Sequence, residues 1–193
     1  SSHPDLFWAV RGGGGNFGIA TNFEFTAHPV GKVYSGMAMY NLAELKKVLT
    51  GWRDLTRKAS EDLTTMFLVM PANPAFAGMP AAAMILFCYA TDDEVAANAA
   101  IEPFLGLGKI LNKDIKRKDY AEVLEDAHVP QGVKVITNNT FVHKLSDELI
   151  DTIAKTSGQI LQIRSVGGAM NRIAPDATAF AHRDNEVLIV APT

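Results

Sequence analysis

"KVYSGMAMYNLAELKKVLTGWRDL", residues 32–55, decides the fold. Residues 32–40 read as a strand. Asn41 then opens a helix, with Glu44 three positions later in the capping-box arrangement. Leu42, Leu45, Val48, Leu49, Trp52 and Leu55 recur at helical spacing, so one stripe of that helix is apolar. A strand running directly into a capped amphipathic helix is the first half of a layered α+β unit.

The pattern continues towards the C-terminus. "LTTMFLVM" (63–70) reads as a strand, "PANPAFAGMP" (71–80) as a loop and "AAAMILFCYA" (81–90) as a strand. Thr91-Asp92-Asp93-Glu94 is a second capping box, opening a helix with Val95, Ala99, Ile101 and Phe104 that ends near Gly106 and Gly108. "KILNKDIKR" (109–117) is a weaker strand. The order β-α-β-β-α-β is the ferredoxin-like split arrangement, an α+β class with an antiparallel sheet and helices on one face. Residues 119–127 read as a short helix and "VKVITNNTFVHKL" (133–145) as extended chain. Ser146 caps a third clear helix, with Leu149, Ile150 and Ile153, that ends at Gly158. "QILQIRSVGGAMNRI" (159–173) and "EVLIVA" (186–191) read as strands. The second half thus repeats strand-helix-strand-strand without a sequence repeat. Helices over 41–59, 91–105 and 146–158 are expected on one face of a single sheet.

The bulk composition narrows the function classes. The chain has 193 residues, 48% hydrophobic and 20% charged, enough to bury a core as one generous domain or two small ones. A net charge of −3 gives no electrostatic footprint for nucleic acid or an anionic membrane surface. No apolar run reaches the ~18 residues of a membrane span. The single Cys88, inside "AMILFCYA", reads as a buried small hydrophobe, excludes an intrachain disulfide and leaves the compartment open. His28, His128 and His143 have no metal-ligand spacing with one another or with Cys88, so no metal site is expected. The abrupt ends "SSHPDLFW" and "LIVAPT" suit a fragment.

Upstream lies "DLFWAVRGGGGNFGIATNFEF" (5–25). Residues 5–11 suit a helical turn with Leu6, Phe7 and Val10 inward. Residues 19–28 alternate, with Ile19, Thr21, Phe23, Phe25 and Ala27 on one side, the period-two signature of a half-buried strand. "HPVG" breaks the chain, placing the main boundary at residues 29–31. Gly13-x-Gly15-x-x-Gly18 has the spacing of a dinucleotide fingerprint. That fingerprint must follow a strand and open a helix, and here the order is reversed. Its acidic partner is also lacking: Glu44, the nearest candidate, starts a helix. Two readings stay open. Successive glycines let backbone N–H groups approach an anion or a flat ring, with Asn16 tolerating the left-handed region. A plain flexible connector has the same composition. No Walker loop and no Ser-His-Asp elbow is present.

"DLFWAVRGGGGNFGIATNFEFTAHPVG" (5–31) resembles the end of the flavin-binding domain in FAD-linked oxidases of the vanillyl-alcohol oxidase superfamily, in particular the berberine bridge enzyme-like branch. "SVGGAMNRIAPDATAFAHRD" (165–184) resembles that family's second hallmark, whose "GG" and "TAF-HR" strands belong to the sheet covering the flavin ring. The resemblance implies that residues 1–31 are the tail of an FAD-binding (PCMH-type) domain and residues 32–193 the substrate domain. It implies FAD as cofactor, walled by Gly13, Gly14, Gly15, Asn16, Phe17, Gly18 and Ile19, and a small alcohol, amine or sugar-like substrate. Arg172, His182 and Arg183 are the implied substrate residues. Where many plant members have a glutamate base, this sequence has Arg172, which cannot act as a base but could bind an acidic substrate. His182-Arg183, after the apolar "TAFAHRD" strand, could orient substrate or be a solvated strand end. Tyr34, Tyr40 and Tyr89 could serve as acid or base only from the flavin side; otherwise they are sheet packing. The family's pyrophosphate motif, its flavin-attachment residues and its tyrosine- and asparagine-rich C-terminal segment find no counterpart here, so the resemblance implies the middle of such an oxidase. Two functions follow: an FAD-dependent oxidoreductase, or a non-catalytic module binding a small molecule or a second copy through its exposed sheet or N-terminal strand.

Overall fold

The computed structural model describes residues 2–72, 80–124, 134–156 and 158–192. Within them, α1 (Pro4–Val10) and a 3-10 turn (Gly14–Phe17) precede β1 (Lys32–Asn41), α2 (Leu45–Thr56), β2 (Leu63–Met70) and β3 (Ala82–Tyr89). Next come α3 (Glu94–Leu105), β4 (Ile110–Asp119), β5 (Thr137–Val142), α4 (Asp147–Lys155), β6 (Leu161–Ser165) and β7 (Val187–Pro192). The strands form one sheet in the order β4-β1-β3-β2-β6-β7-β5, and every neighbouring pair is antiparallel. The first four follow the split βαββαβ order expected from the sequence. The second half extends the same sheet through β6.

Side chains of successive strand residues point to opposite faces. One face is closed by helices. Trp52, Leu49 and Val48 of α2, Ile101 and Phe104 of α3, and Ile150 and Ile153 of α4 bury against Tyr40, Phe67, Ile85 and Ile163 of the sheet. Trp52 is 1% exposed; its indole donates to Thr65 Oγ1 at 3.0 Å and its ring lies 5.7 Å from that of Phe67. The buried Tyr40 hydroxyl donates to the Phe104 carbonyl at 2.9 Å, and burial pushes its pKa up to about 12. Leu45, Val48, Leu49 and Trp52 carry the expected apolar stripe into this core.

The helix starts shift from their sequence positions for local reasons. Asn41 Oδ1 accepts from Ala43 N at 2.9 Å and begins a 3-10 turn, so α2 itself starts at Leu45. The expected box does not close, because Glu44 Oε2 accepts instead from Lys109 N at 2.7 Å, where the chain enters β4. The N-cap of α3 is Asp93, which accepts from Val95 N and Ala96 N, while Thr91 Oγ1 holds Asp93 N. Ser146 Oγ caps α4 through Leu149 N at 3.3 Å. Over 119–127 the described part is a 3-10 turn, Tyr120–Val123, closed by an Asp119–Glu122 box; residues 125–133 lie outside the described residues, as do most of the 71–80 loop and His128.

Two expected strands are absent, and the one expected over 159–173 ends at Ser165, because Gly168 at φ +60° turns the chain into the 3-10 turn Gly168–Arg172. Residues 19–28 form no strand: Ile19 is 94%, Phe23 68% and Phe25 82% exposed, because no neighbouring strand offers them backbone partners. Residues 178–184 are irregular as well, held by Thr178 and Arg183 side-chain bonds rather than a ladder. In α1, Ala9 is the buried residue, whereas Leu6, Phe7 and Val10 are exposed, opposite to expectation. Among the described residues no helix is long and apolar enough to cross a membrane.

Candidate functional site

The helix α1 and the glycine loop after it touch the 176–180 segment, across more than 160 residues of sequence. Trp8 Nε1 donates to the Asp176 carbonyl at 2.6 Å, Ala179 N donates to the Trp8 carbonyl at 3.3 Å, and Arg11 Nη2 reaches the Ala177 carbonyl at 3.5 Å. Gly12 sits at φ +125°, and a Cβ there would stand 2.4 Å from Phe180 N. Only glycine allows both that dihedral and that approach. Gly13 N then donates to the Ala9 carbonyl at 2.8 Å. Gly14, Gly15 and Gly18 face the other way: no atom lies within 4 Å of where their Cβ would be. The loop is therefore docked on one side and open on the other. Asn16, Phe17 and Ile19 are exposed on that open run.

Phe180 begins an aromatic cluster. Its ring meets Phe141 edge-on at 5.8 Å and His182 edge-on at 5.5 Å, while His182 stacks flat on Phe141 at 4.3 Å and 8°. Behind it, Arg183 donates through Nη2 to Thr178 Oγ1 at 2.7 Å and through Nη1 to the Met170 carbonyl at 3.2 Å. Its guanidinium also lies 5.4 Å from the Phe180 ring, and its buried Nε has no partner among the described residues. His182 and Arg183 thus join the glycine loop in one place.

Strand register extends this place across the sheet face opposite the described helices. Phe141 is level with Leu188, Leu188 with Arg164, Arg164 with Met66, Met66 with Leu86, and Leu86 with Met37. Strand alternation adds Met39, Leu68, Met70 and Met84, which pack with Met37 and Leu86 as a second small cluster. Cys88 is on the same face, half-buried, and burial pushes its thiol up despite the opposing charge of Lys118. Tyr34, Tyr40 and Tyr89 belong to the helix-covered core, which removes them as acid or base on the open face.

Arg172 goes elsewhere. It ends the 3-10 turn Gly168–Arg172 and forms an ion pair with Glu61, in the link from α2 to β2. Sequence reading missed the polar groove beside it. About 810 Å³ in volume, it is lined by Trp52, Arg57, Thr65, His143, Asp184 and Glu186 among others. Glu186 accepts both Arg57 Nε (2.5 Å) and Arg57 Nη2 (2.9 Å), and also Leu145 N at 2.7 Å. Burial alone raises its carboxyl; the Arg57 bonds, the Leu145 N–H and the Arg57 and Arg53 charges outweigh this and hold it below the usual carboxylate range. His143 Nδ1 lies 3.6 Å from Asp184. These residues come from segments far apart in sequence, with no local motif to flag them. Among the described residues no group of three or more His, Cys, Asp and Glu could hold a metal ion.

No family model matches the chain. Curated relatives do. It is 28% identical over 202 residues to an uncharacterized FAD-linked oxidoreductase, YgaK, of Bacillus subtilis, covering 95% of this chain and 42% of that protein. It is 26% identical over 209 residues to berberine bridge enzyme-like 6 of Arabidopsis thaliana, covering 96% of this chain and 38% of that protein. The chain is thus similar to FAD-linked oxidoreductases, berberine bridge enzyme-like proteins among them. The fold agrees: the solved BBE-like 1 of Physcomitrella patens superposes with a TM-score of 0.80 over 98% of this chain and 45% of its own, at 18% identity. A xylooligosaccharide oxidase from Myceliophthora thermophila, solved with xylobiose, gives 0.73 over 98% of this chain and 45% of its own, at 22% identity. The chain spans about two fifths of the length of the curated relatives it matches.

Residues 13–19 are the ones that could hold a flat cofactor ring: no protein atom lies within 4 Å of a Cβ placed at Gly14, Gly15 or Gly18, and the docked Gly12 connects the loop through Phe180 to the Phe141–His182 stack.

Proposed function

We propose that this chain supplies one wall of an FAD site and the substrate-facing sheet of an oxidoreductase acting on a small alcohol, amine or sugar-like molecule. The observation that carries the reading is the meeting of the glycine loop with Phe180 and His182 at the end of the open sheet face. Residues 1–31 belong with the flavin side and residues 32–193 with the substrate side. When bound, FAD supplies the hydride-accepting ring. Residues 13–19 would hold it, with the backbone donors and the close approach coming from residues 14–19, since Gly13 N is bonded to the Ala9 carbonyl. His182, stacked on Phe141, presents a polar edge towards the substrate, and the methionine and leucine side chains exclude water. Arg172, ion-paired to Glu61, is held away from proton transfer and serves at most to bind an acidic group. The sugar oxidase among the structural neighbours supports the sugar-like end of this substrate range.

The loop offers only a few backbone donors, each worth about 0.5–1.5 kcal/mol net, against an association cost of at least ~4 kcal/mol. The two nearly cancel, so FAD is expected to bind this chain no tighter than the millimolar range, which corresponds to about −4 kcal/mol. Titration of FAD into the chain, followed by flavin fluorescence, tests the site. Gly15 is the control position, because a side chain there meets no protein atom within 4 Å and fills the space the ring needs. Wild type should quench flavin emission and Gly15→Val should not, with unchanged far-UV circular dichroism. Equal quenching by both would sink the assignment.

A second role, pairing of two copies through residues 19–28, is favoured by the exposure of Ile19, Phe23 and Phe25. Light scattering on the chain and on Phe23→Ser/Phe25→Ser tests it; monomers in both end that proposal.

A further inference from the structure

We infer that Arg164 is an anion-recognition residue of the open sheet face, and that the substrate carries a carboxylate. The inference rests on the reading of this face as substrate-facing.

Register places Arg164 in the middle of the row Met37–Leu86–Met66–Arg164–Leu188–Phe141, whose other members are apolar. Its side chain is exposed and makes one hydrogen bond, from Nη2 to Gln162 Oε1 at 2.7 Å. Among the described residues it takes part in no ion pair. The other arginines differ. Arg53, Arg57, Arg117 and Arg172 are each held by a carboxylate. Arg11 and Arg183 donate to backbone carbonyls, Arg183 also to a hydroxyl. The acid in the same row, Asp114 on β4, lies four strand spacings away. That is about 19 Å at about 4.8 Å per strand, beyond the ~10 Å Debye length at 0.1 M salt.

Covering such a face removes water from the guanidinium. A charge desolvated without a counter-charge is costly, and a neutral polyol does not repay it. A carboxylate does, because its two oxygens match the fork of N–H donors. Gln162, already bonded to Arg164, orients that fork.

Benzoate serves as probe and benzamide as its neutral counterpart, each titrated into the 15N-labelled chain without FAD and followed by NMR. Benzoate is expected to give saturable shifts at Met66, Arg164 and Leu188, with benzamide at least about tenfold weaker, or about 1.4 kcal/mol. Arg164→Gln should lose that preference, whereas Arg172→Gln should keep it. Equal binding of the two probes, no binding of benzoate, or undiminished benzoate binding by Arg164→Gln would each overturn the inference. Because FAD is left out, a chain that binds FAD but not benzoate refutes this inference alone. A chain that binds benzoate through Arg164 but fails the Gly15 test refutes only the flavin assignment.

Discussion

Residues 19–28 and β1 both read as strands and meet different fates. Both are flanked by turn-forming residues, and residues 19–28 have the cleaner alternation, since β1 is apolar on both faces. β1 has β3 on one side and β4 on the other, and its even-numbered side chains close a helix-covered core. Residues 19–28 have neither neighbour nor core, and Phe23 and Phe25 stack on each other at 5.9 Å, exposed. Period-two patterning states which surface a strand would bury. The ladder and the surface must come from elsewhere. The N-terminal segment is patterned for a surface that residues 32–192 do not provide.

The sharpest way to break this contrast is to truncate an aromatic ring in each region. Trp52→Ala is expected to cost about 3–5 kcal/mol, since it removes a fully buried ring. Phe25→Ala should change stability by less than about 0.5 kcal/mol, as an exposed site does. Urea unfolding midpoints compare the two; a cost from Phe25→Ala approaching that of Trp52→Ala abolishes the distinction.

Glu186 gives the next effect, because it ties α2 to the turn before α4. Glu186→Gln should lose about 0.5–1.5 kcal/mol, because Arg57 is partly exposed and water replaces part of the lost contact. Its folded pKa is depressed, so its contribution is present above the unfolded value of about 4.3 and is lost as pH falls through the folded value. Wild-type stability should thus drop on acidification below about pH 4.3 more steeply than that of Glu186→Gln. Parallel pH profiles of the urea midpoint would exclude this role.

A smaller effect belongs to the seam between the two regions. Gly12→Ala places a Cβ against the Phe180 backbone, and the expected result is release of α1. Global stability should change by less than about 1 kcal/mol, because the opening is local. The Trp8 indole N–H resonance should move towards the position of a free indole while that of Trp52 stays. A Trp8 signal unchanged by Gly12→Ala refutes the docking.

The element order was legible because α2 and α4 carry an apolar stripe, β2 alternates, and Gly, Pro and capping residues separate the segments. The starts of α2 and α3 were not, because Glu44 is drawn to Lys109 N and the cap of α3 falls on Asp93. Those are tertiary and local competitions that a four-residue motif does not encode. The flavin role proposed for the glycine loop comes from resemblance, whereas its contact with Phe180 spans the length of the chain and leaves no local trace. Arg164 was invisible for a different reason. A single arginine in a strand reads as solvated until the register sets it among Met66, Leu86 and Leu188. The groove around Glu186 and Arg57 was missed likewise, because an ion pair 129 residues apart has no spacing to recognise.

Backbone amide exchange, read residue by residue on the whole chain, tests the central contrast most directly. Amides of β1 should be strongly protected, Gly13 and Ala179 at the docked seam should be intermediate, and residues 19–28 should exchange at the rate of an unstructured peptide. Protection of residues 19–28 equal to that of β1 in the monomer would contradict the account, since it would mean that the N-terminal segment finds its strand partner within this chain.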